Sequence, residues 1–391
     1  MWNIKDSIQA VLPQVVAWRR HFHQHPELGL EEKATTEHVA RVLEDLGVEV
    51  RRFQHVTGVL GTLQGGLPGP TIALRADMDA LPVEELAECD FRSLQPGLMH
   101  ACGHDLHIAN LLGVASVLAA HRDQVPGAVK FVFQPAEEGK GGARYLIDEG
   151  VMEGVDQVYA LHVNPEIPTG QISITPGACT ANSDTATITI TGKGGHGAHP
   201  EQTIDAVVVG AQIVGALQTI VSRNLAAQEA GVVTIGTFHA GTVRNIIAER
   251  AEMTLSLRSL TADVQSKLRQ RIEAVVEGIA LAHGATCEFE YRYGYPSVQN
   301  HEAAVKAVVQ AASAVLGEEN VVVNPRASMV GEDFAYYGQH APAALFWLGA
   351  APEDVSRWRP LHNPAVLFNE DCLPLGMEIM IRLVLQAGEQ A

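Results

Sequence analysis

The stretch Met99–Gly113, MHACGHDLHIANLLG, carries His100, Cys102, His104, Asp105 and His107, and an apolar run follows. Cys102 and His104 are two positions apart, so an extended or turning backbone lets both side chains face the same way. Thiolate and imidazole are the ligands a borderline metal ion prefers. An isolated Cys-x-His is more often a buried thiol beside unrelated histidines. The rest of the chain changes that balance. Glu137 and Glu138 follow the apolar segment VKFVFQ (129–134) and precede Gly139, Gly141 and Gly142. His162 lies near the end of VDQVYALHV (155–163), and His362 in the loop beyond AALFWLGA (343–350).

Cys102, His104, Glu138, His162 and His362 make up a set of candidate ligands too large for one tetrahedral catalytic ion, which keeps an open position. They suit two divalent ions close together. Adjacent carboxylates at such a site can divide the work. Glu138 binds metal, while the unligated Glu137 takes a proton from the attacking water and passes it to the leaving amine. Asp79, just after TIALRA (71–76), would orient a ligand histidine. Taken singly, a Glu-Glu pair or an Asp in a turn is ordinary solvated surface. His21, His23 and His25, beside Pro26 at the end of the first helix, read as structural, since histidine in a last turn complements the helix dipole.

These residues need elements to hold them. Helices are expected over 4–22, 31–46, 106–121, 301–316 and 374–388, with strands over 71–76, 129–134, 155–163 and 343–350. Strands alternating with helices predict an α/β fold, a mostly parallel sheet covered by helices on both faces. Ligands in such folds bind outside the carboxyl ends of the strands, where Asp77, Asp79, Glu137, Glu138 and His162 fall. Between 181 and 296 the rhythm changes. Strand 185–191, helix 203–223, strands 232–241 and 249–260, helix 262–283 and strand 285–294 give the β-α-β-β-α-β order of a ferredoxin-like unit. The expected organisation is a catalytic metal-binding domain of residues 1–180 and 297–391, interrupted by an inserted α+β domain at 181–296.

A formal charge of −18 argues against nucleic acid and anionic membranes as partners. No apolar run approaches the roughly 18 residues of a membrane span, and the N-terminus lacks a signal-like pattern. Cys89, Cys102, Cys179, Cys287 and Cys372 are scattered and odd in number, which suits reduced thiols. A cytoplasmic protein is the expectation.

HACGHD (100–105), QPAEEG (134–139), LHV (161–163), GKGGHGAHP (192–200), RNIIAERAEM (244–253), GEDF (331–334) and LHNPAVLFNED (361–371) occur in this order. The series resembles the aminoacylase/carboxypeptidase family of dinuclear metallohydrolases, over nearly the whole chain. Its branch of N-acyl-amino acid amidohydrolases includes hippurate hydrolases, N-acetylcysteine deacetylases and auxin–amino acid hydrolases. The resemblance implies hydrolysis of an N-acyl-L-amino acid to a carboxylate and a free amino acid. The cofactors would be two divalent ions, manganese or zinc, with cobalt and nickel as alternatives. It matches Cys102, His104, Glu138, His162 and His362 to the metal ligands and Glu137 to the general base. It matches His196 to the residue that binds the substrate carbonyl, and Asn245 and Arg258 to those that grip the free carboxylate. Other branches place a histidine where Asp77 stands and a bridging aspartate near His104. The resemblance also implies that the insert acts as a lid and, as in dimeric relatives, forms the interface of a homo-oligomer. A dipeptidase or aminopeptidase of the same family is the alternative. A thiol enzyme with Cys102 as nucleophile and His104 as base, and a catalytically dead binding module, are readings from other classes.

Overall fold

The computed structural model describes residues 2–388. Two compact units divide the chain. One holds the chain up to Cys179, then Val298–Arg326, and everything from Asp333 onward; the other holds Thr180–Ser297 and Ala327–Glu332.

The first unit is built on an eight-stranded sheet in the order Glu49–Arg52, Val59–Gln64, Pro126–Gln134, Leu67–Asp77, Gln157–Asn164, Ala343–Gly349, Ile172–Ile174, Val321–Val323. The four central strands are mutually parallel. Antiparallel pairings lie toward both edges. The four outer strands went unread in the sequence. Glu49–Arg52 has little apolar content, Gly61 interrupts the next, and the last two are three residues each, too short for a period to show.

Alternation along the central strands splits the core into two layers. Ile72, Leu74, Phe131, Phe133, Tyr159, Leu161, Phe346 and Leu348 pack with the long helices Ile4–Gln24, Lys33–Asp45, His104–Ala120, Glu302–Leu316 and Cys372–Ala387. Ala73, Val132, Val158, Ala160 and Leu345 face the other way, onto the short helix Gly142–Asp148 and the irregular segment Asp333–Gln339. The expected cover on both faces is present, with the long helices on one.

The second unit has strands Asn182–Thr191, Gly231–Ala240, Arg250–Ser259 and Thr286–Tyr295 and helices Ala206–Asn224 and Ala262–Ala282. The sheet order is second, third, first, fourth, wholly antiparallel, which is the ferredoxin-like arrangement. Ile188, Ile190, Met253 and Leu255 meet Ile213, Leu217, Leu268 and Ile272 in its core. Ala206–Asn224 corrects one expectation: by length and composition alone it could cross a membrane. Its stripe of Val209, Ile213, Leu217 and Ile220 is instead the face buried on this sheet. The segment Ala327–Glu332 returns to the unit, where the Ala181 amide donates to the Val330 carbonyl.

Candidate metal centre

Parallel pairing brings the carboxyl ends of the central strands to one side of the first unit's sheet, where a ligand crevice is expected. The chain leaves Leu67–Asp77 through Asp79, leaves Pro126–Gln134 through Glu137 and Glu138, and bears His162 near the end of Gln157–Asn164. Cys102 and His104 reach the same place at the start of helix His104–Ala120. That helix is buried from His104 to Leu118. A helix apolar all round belongs inside a core, so its first turn is rigidly held.

The expected ligands converge. Donor atoms of Cys102, His104 and His162 lie within 4.8 Å of one another, as do those of Cys102, Glu138 and His362, and those of His104, Glu137 and Glu138. Cys102 Sγ is 3.5 Å from His162 Nε2 and 3.3 Å from His362 Nε2. Glu138 Oε1 is 3.1 Å from His362 Nε2. Cys102 is thus common to a histidine pair on one side and a Glu–His pair on the other.

Hydrogen bonds fix which nitrogens face the cluster. His104 Nδ1 donates to the Asp79 carbonyl at 2.8 Å, and His162 Nδ1 to the Val163 carbonyl at 2.8 Å. Each ring therefore presents Nε2. The Asp79 carboxylate is 3.3 Å from His104 Nδ1, but it accepts the Glu137 amide at 3.0 Å and the Glu138 amide at 2.9 Å. Its firmer hold is on the turn that carries both glutamates, rather than on the histidine it was expected to orient.

Several supporting residues were missed in the sequence. His107 Nδ1 donates to Asp77 at 2.6 Å and its Nε2 accepts the Val163 amide at 2.9 Å, so the ring is neutral. Burial pushes its pKa down as well. Arg75 donates to Asp77 at 2.5 Å and to Asp333 at 2.9 Å, and Gln134 also reaches Asp333 at 2.9 Å. A polar residue three positions after His104 in an apolar helix was the one available signal for His107. Asp333 falls in the quoted GEDF motif (331–334), but nothing local assigned it this role.

Charge around the cluster suits a cation. Burial alone lowers the His104 pKa; Asp77 and then Asp79 overcome it and raise it to about 10. Burial, followed by the Glu138, Glu137 and Asp77 carboxylates, pushes the Cys102 thiol well above its usual range. A bound divalent ion inverts both effects, since thiolate and neutral imidazole are the ligating forms. His104 Nε2 is buried with no hydrogen-bond partner, and Glu138 Oε1 approaches His362 without an aligned hydrogen bond. Such orphaned donors, in a mixed sulfur, nitrogen and oxygen set, fit divalent metal. The same surroundings count against a nucleophilic Cys102, because reactive thiols sit in electropositive sites.

His196, Asn245 and Arg258 belong to the second unit. His196 pairs with Ile246, and the Gly197 amide donates to the Asn245 carbonyl at 2.9 Å, so His196 and Asn245 are neighbours. His196 is exposed, and its Nδ1 accepts the Ala198 amide at 3.1 Å. Gly195, Ile246, Arg250 and Glu252 line one groove. Arg258 lies six residues farther along strand Arg250–Ser259 than Glu252, on the order of 20 Å at the rise of a β-strand. One copy of this unit does not gather the three side chains at one point. Arg258 Nη1 donates to Ser256 Oγ at 3.0 Å and to the Leu257 carbonyl at 2.9 Å.

Comparison with known proteins agrees with this architecture. The profile of peptidase family M20/M25/M40 matches residues 73–386. An N-acyl-L-amino acid amidohydrolase of Geobacillus stearothermophilus is 43% identical over 302 residues, 77% of this chain and 81% of the relative. Thermostable carboxypeptidase 2 of Saccharolobus solfataricus is 38% identical over 378 residues, 96% of this chain and 95% of the relative. A dinuclear metal-binding M20 peptidase from Bacillus subtilis superposes with a TM-score of 0.85 at 34% identity, covering 98% of this chain and 100% of that one. With this profile match over most of its length and relatives of this identity, the chain belongs to peptidase family M20/M25/M40.

Proposed function

We propose that the protein is a dinuclear amidohydrolase that cleaves N-acyl-L-amino acids to a carboxylate and a free amino acid. The observation that carries this reading is the convergence of Cys102, His104, Glu138, His162 and His362 around one point with Glu137 beside them. Those five would hold two divalent ions, manganese or zinc, with cobalt or nickel as alternatives. When bound, the ions would polarise the scissile carbonyl and make water more acidic. Glu137, 7% exposed on the turn that Asp79 holds, takes the proton from the attacking water. It returns that proton to the amide nitrogen as the C–N bond breaks. His196 donates a hydrogen bond to the carbonyl oxygen as negative charge builds on it. Arg258 and Asn245 hold the α-carboxylate, for which the planar guanidinium fork is suited.

An N-acyl amino acid spans about 7 Å along its backbone, far less than the separation of His196 from Arg258. If both act on one substrate molecule, they come from different copies of the chain. A homo-oligomer follows from this reading, with the second unit at its interface.

The carboxypeptidase and N-acyl amino acid amidohydrolase activities named for the two relatives share one requirement, an amide next to a free carboxylate. A dipeptidase or aminopeptidase needs an acidic group for a free α-amine instead. The test is an assay of purified protein, stripped and reloaded with manganese, zinc, cobalt or nickel. Its substrates are N-acetyl and N-benzoyl amino acids, their carboxamides, and dipeptides. Chelator-sensitive, metal-restored cleavage that prefers the free carboxylate supports the proposal. Chelator-insensitive turnover, or turnover only of substrates with a free α-amine, overturns it.

A further inference from the structure

Glu137 and Glu138 sit on a turn, Pro135–Glu138, that is gripped from outside the cluster. We propose that Glu32 is a positioning residue that clamps this turn and thereby sets where the two glutamates point. Only the kinetic consequence rests on the function proposed above; the clamp stands on geometry within the first unit.

Ala136, the residue before the pair, has a left-handed backbone with φ of 56°. Non-glycine residues persist there only when their surroundings enforce it. The Ala136 amide donates to Glu32 Oε1 at 2.9 Å, and the other Glu32 oxygen accepts the Thr57 hydroxyl at 2.6 Å. Glu32 is fully buried. It occupies the N-cap position of helix Lys33–Asp45, yet its side chain caps nothing there. Glu27 does that work, accepting the Ala34 and Thr35 amides at 3.1 and 2.8 Å. The Glu32 carboxylate is thus diverted from the ordinary N-cap role to the turn.

Neighbouring contacts press the same way. A Cβ on Gly29 would lie 3.0 Å from Ala136 Cα, and one on Gly142 would lie 1.6 Å from the Pro135 carbonyl oxygen. Backbone therefore packs directly on the turn from two sides. Lys140 Nζ donates to the Gly29 carbonyl at 2.7 Å, and the Ala80 amide to the Glu27 carbonyl at 2.8 Å. The single segment Glu27–Glu32 thus braces both the glutamate turn and the turn beside Asp79. Burial pushes the Glu32 carboxyl up to about 7 against the pull of Thr57, as for a group held in place at the expense of its ionisation.

The test is hydrogen–deuterium exchange of the metal-free protein over residues 134–142, in wild type, Glu32→Ala, Glu32→Gln and Lys140→Met. Lys140 is exposed, so its variant folds even if Glu32→Ala does not. Exchange over 134–142 should rise about tenfold in Glu32→Ala and several-fold in Lys140→Met, with the rest of the sheet unchanged. Glu32→Gln, whose amide oxygen still accepts from Ala136, should stay near wild type. In metal-loaded enzyme Glu32→Ala should lower kcat about 10–10²-fold with KM within about twofold, and Glu32→Gln should recover it. The proposal fails if a folded Glu32→Ala does not loosen the turn, or, where Glu32→Ala does not fold, if Lys140→Met does not. It fails equally if Glu32→Gln is as damaged as Glu32→Ala, or if faster exchange spreads through the sheet. A wild type inactive on every amide would instead overturn the function above, leaving the exchange data to judge the clamp.

Discussion

The proposed division of labour between Glu137 and Glu138 rests on a difference of partners. Glu138 Oε1 is drawn to His362 and lies in the Cys102–His362 group. Both backbone amides are held by the same aspartate, so the side chains diverge from a common fixed base. Substituting Gln keeps shape and removes charge, which separates the two roles. Glu137→Gln should retain its metal by elemental analysis while kcat falls by about 10²–10⁴, the usual worth of general acid–base catalysis. Glu138→Gln should lose metal as well as activity. Normal turnover by Glu137→Gln, or exchanged phenotypes, would refute the assignment.

At the scale of elements, the end of helix His104–Ala120 that carries His104 is tied to helix Ile4–Gln24. Asp105 Oδ2 lies 2.8 Å from His23 Nδ1 and 3.0 Å from Arg19 Nε, and His23 Nε2 lies 3.2 Å from Glu85. His23 is therefore structural, as expected for a histidine at that helix end. Burial lowers its pKa, but Asp105 and then Glu85 outweigh this and the net shift is upward. A raised folded-state pKa means the His23 contribution is complete below the unfolded value of about 6.5. It is lost as pH rises through the folded value. Denaturant midpoints of wild type and His23→Gln, taken from about pH 5.5 to 8.5, should show the largest gap at the acidic end. A gap of about 1–3 kcal/mol is expected there, the range for hydrogen bonds to charged groups. A gap that stays constant or widens with pH would exclude a protonated His23 as the stabilising form.

For the whole molecule, the separation of His196 from Arg258 within one unit makes assembly part of the proposed chemistry. Glu137→Gln and His196→Ala should each be nearly inactive alone. Mixed after denaturation and refolding, they should recover about a quarter of wild-type activity, because half of randomly paired dimers carry one site with an intact Glu137 and a partner's intact His196. No recovery, with mixed dimers demonstrated by mass, would place His196 in the same chain as the site it serves.

The local order of the chain was enough to name the candidate ligands and the α/β fold class. Cys102 and His104 announce themselves by spacing, Glu137 and Glu138 by their place after an apolar strand, and the insert by its change of rhythm. Apolar periodicity is a short-range property, and a run of residues displays it without its neighbours. Tertiary structure decided what those residues do to one another. Cys102 meets His362, 260 positions away; Asp79 holds the glutamate turn rather than chiefly a histidine; and Asp333 closes on Arg75 and Gln134. Such partners are brought together by sheet register and helix packing, which no local spacing encodes. For the same reason the sequence did not show that His196, on the two-stranded pair Gly195–His196 and Ile246–Ile247, is separated along the second unit from Arg258 on its four-stranded sheet, since strand length and pairing, not motif identity, set the distance between them.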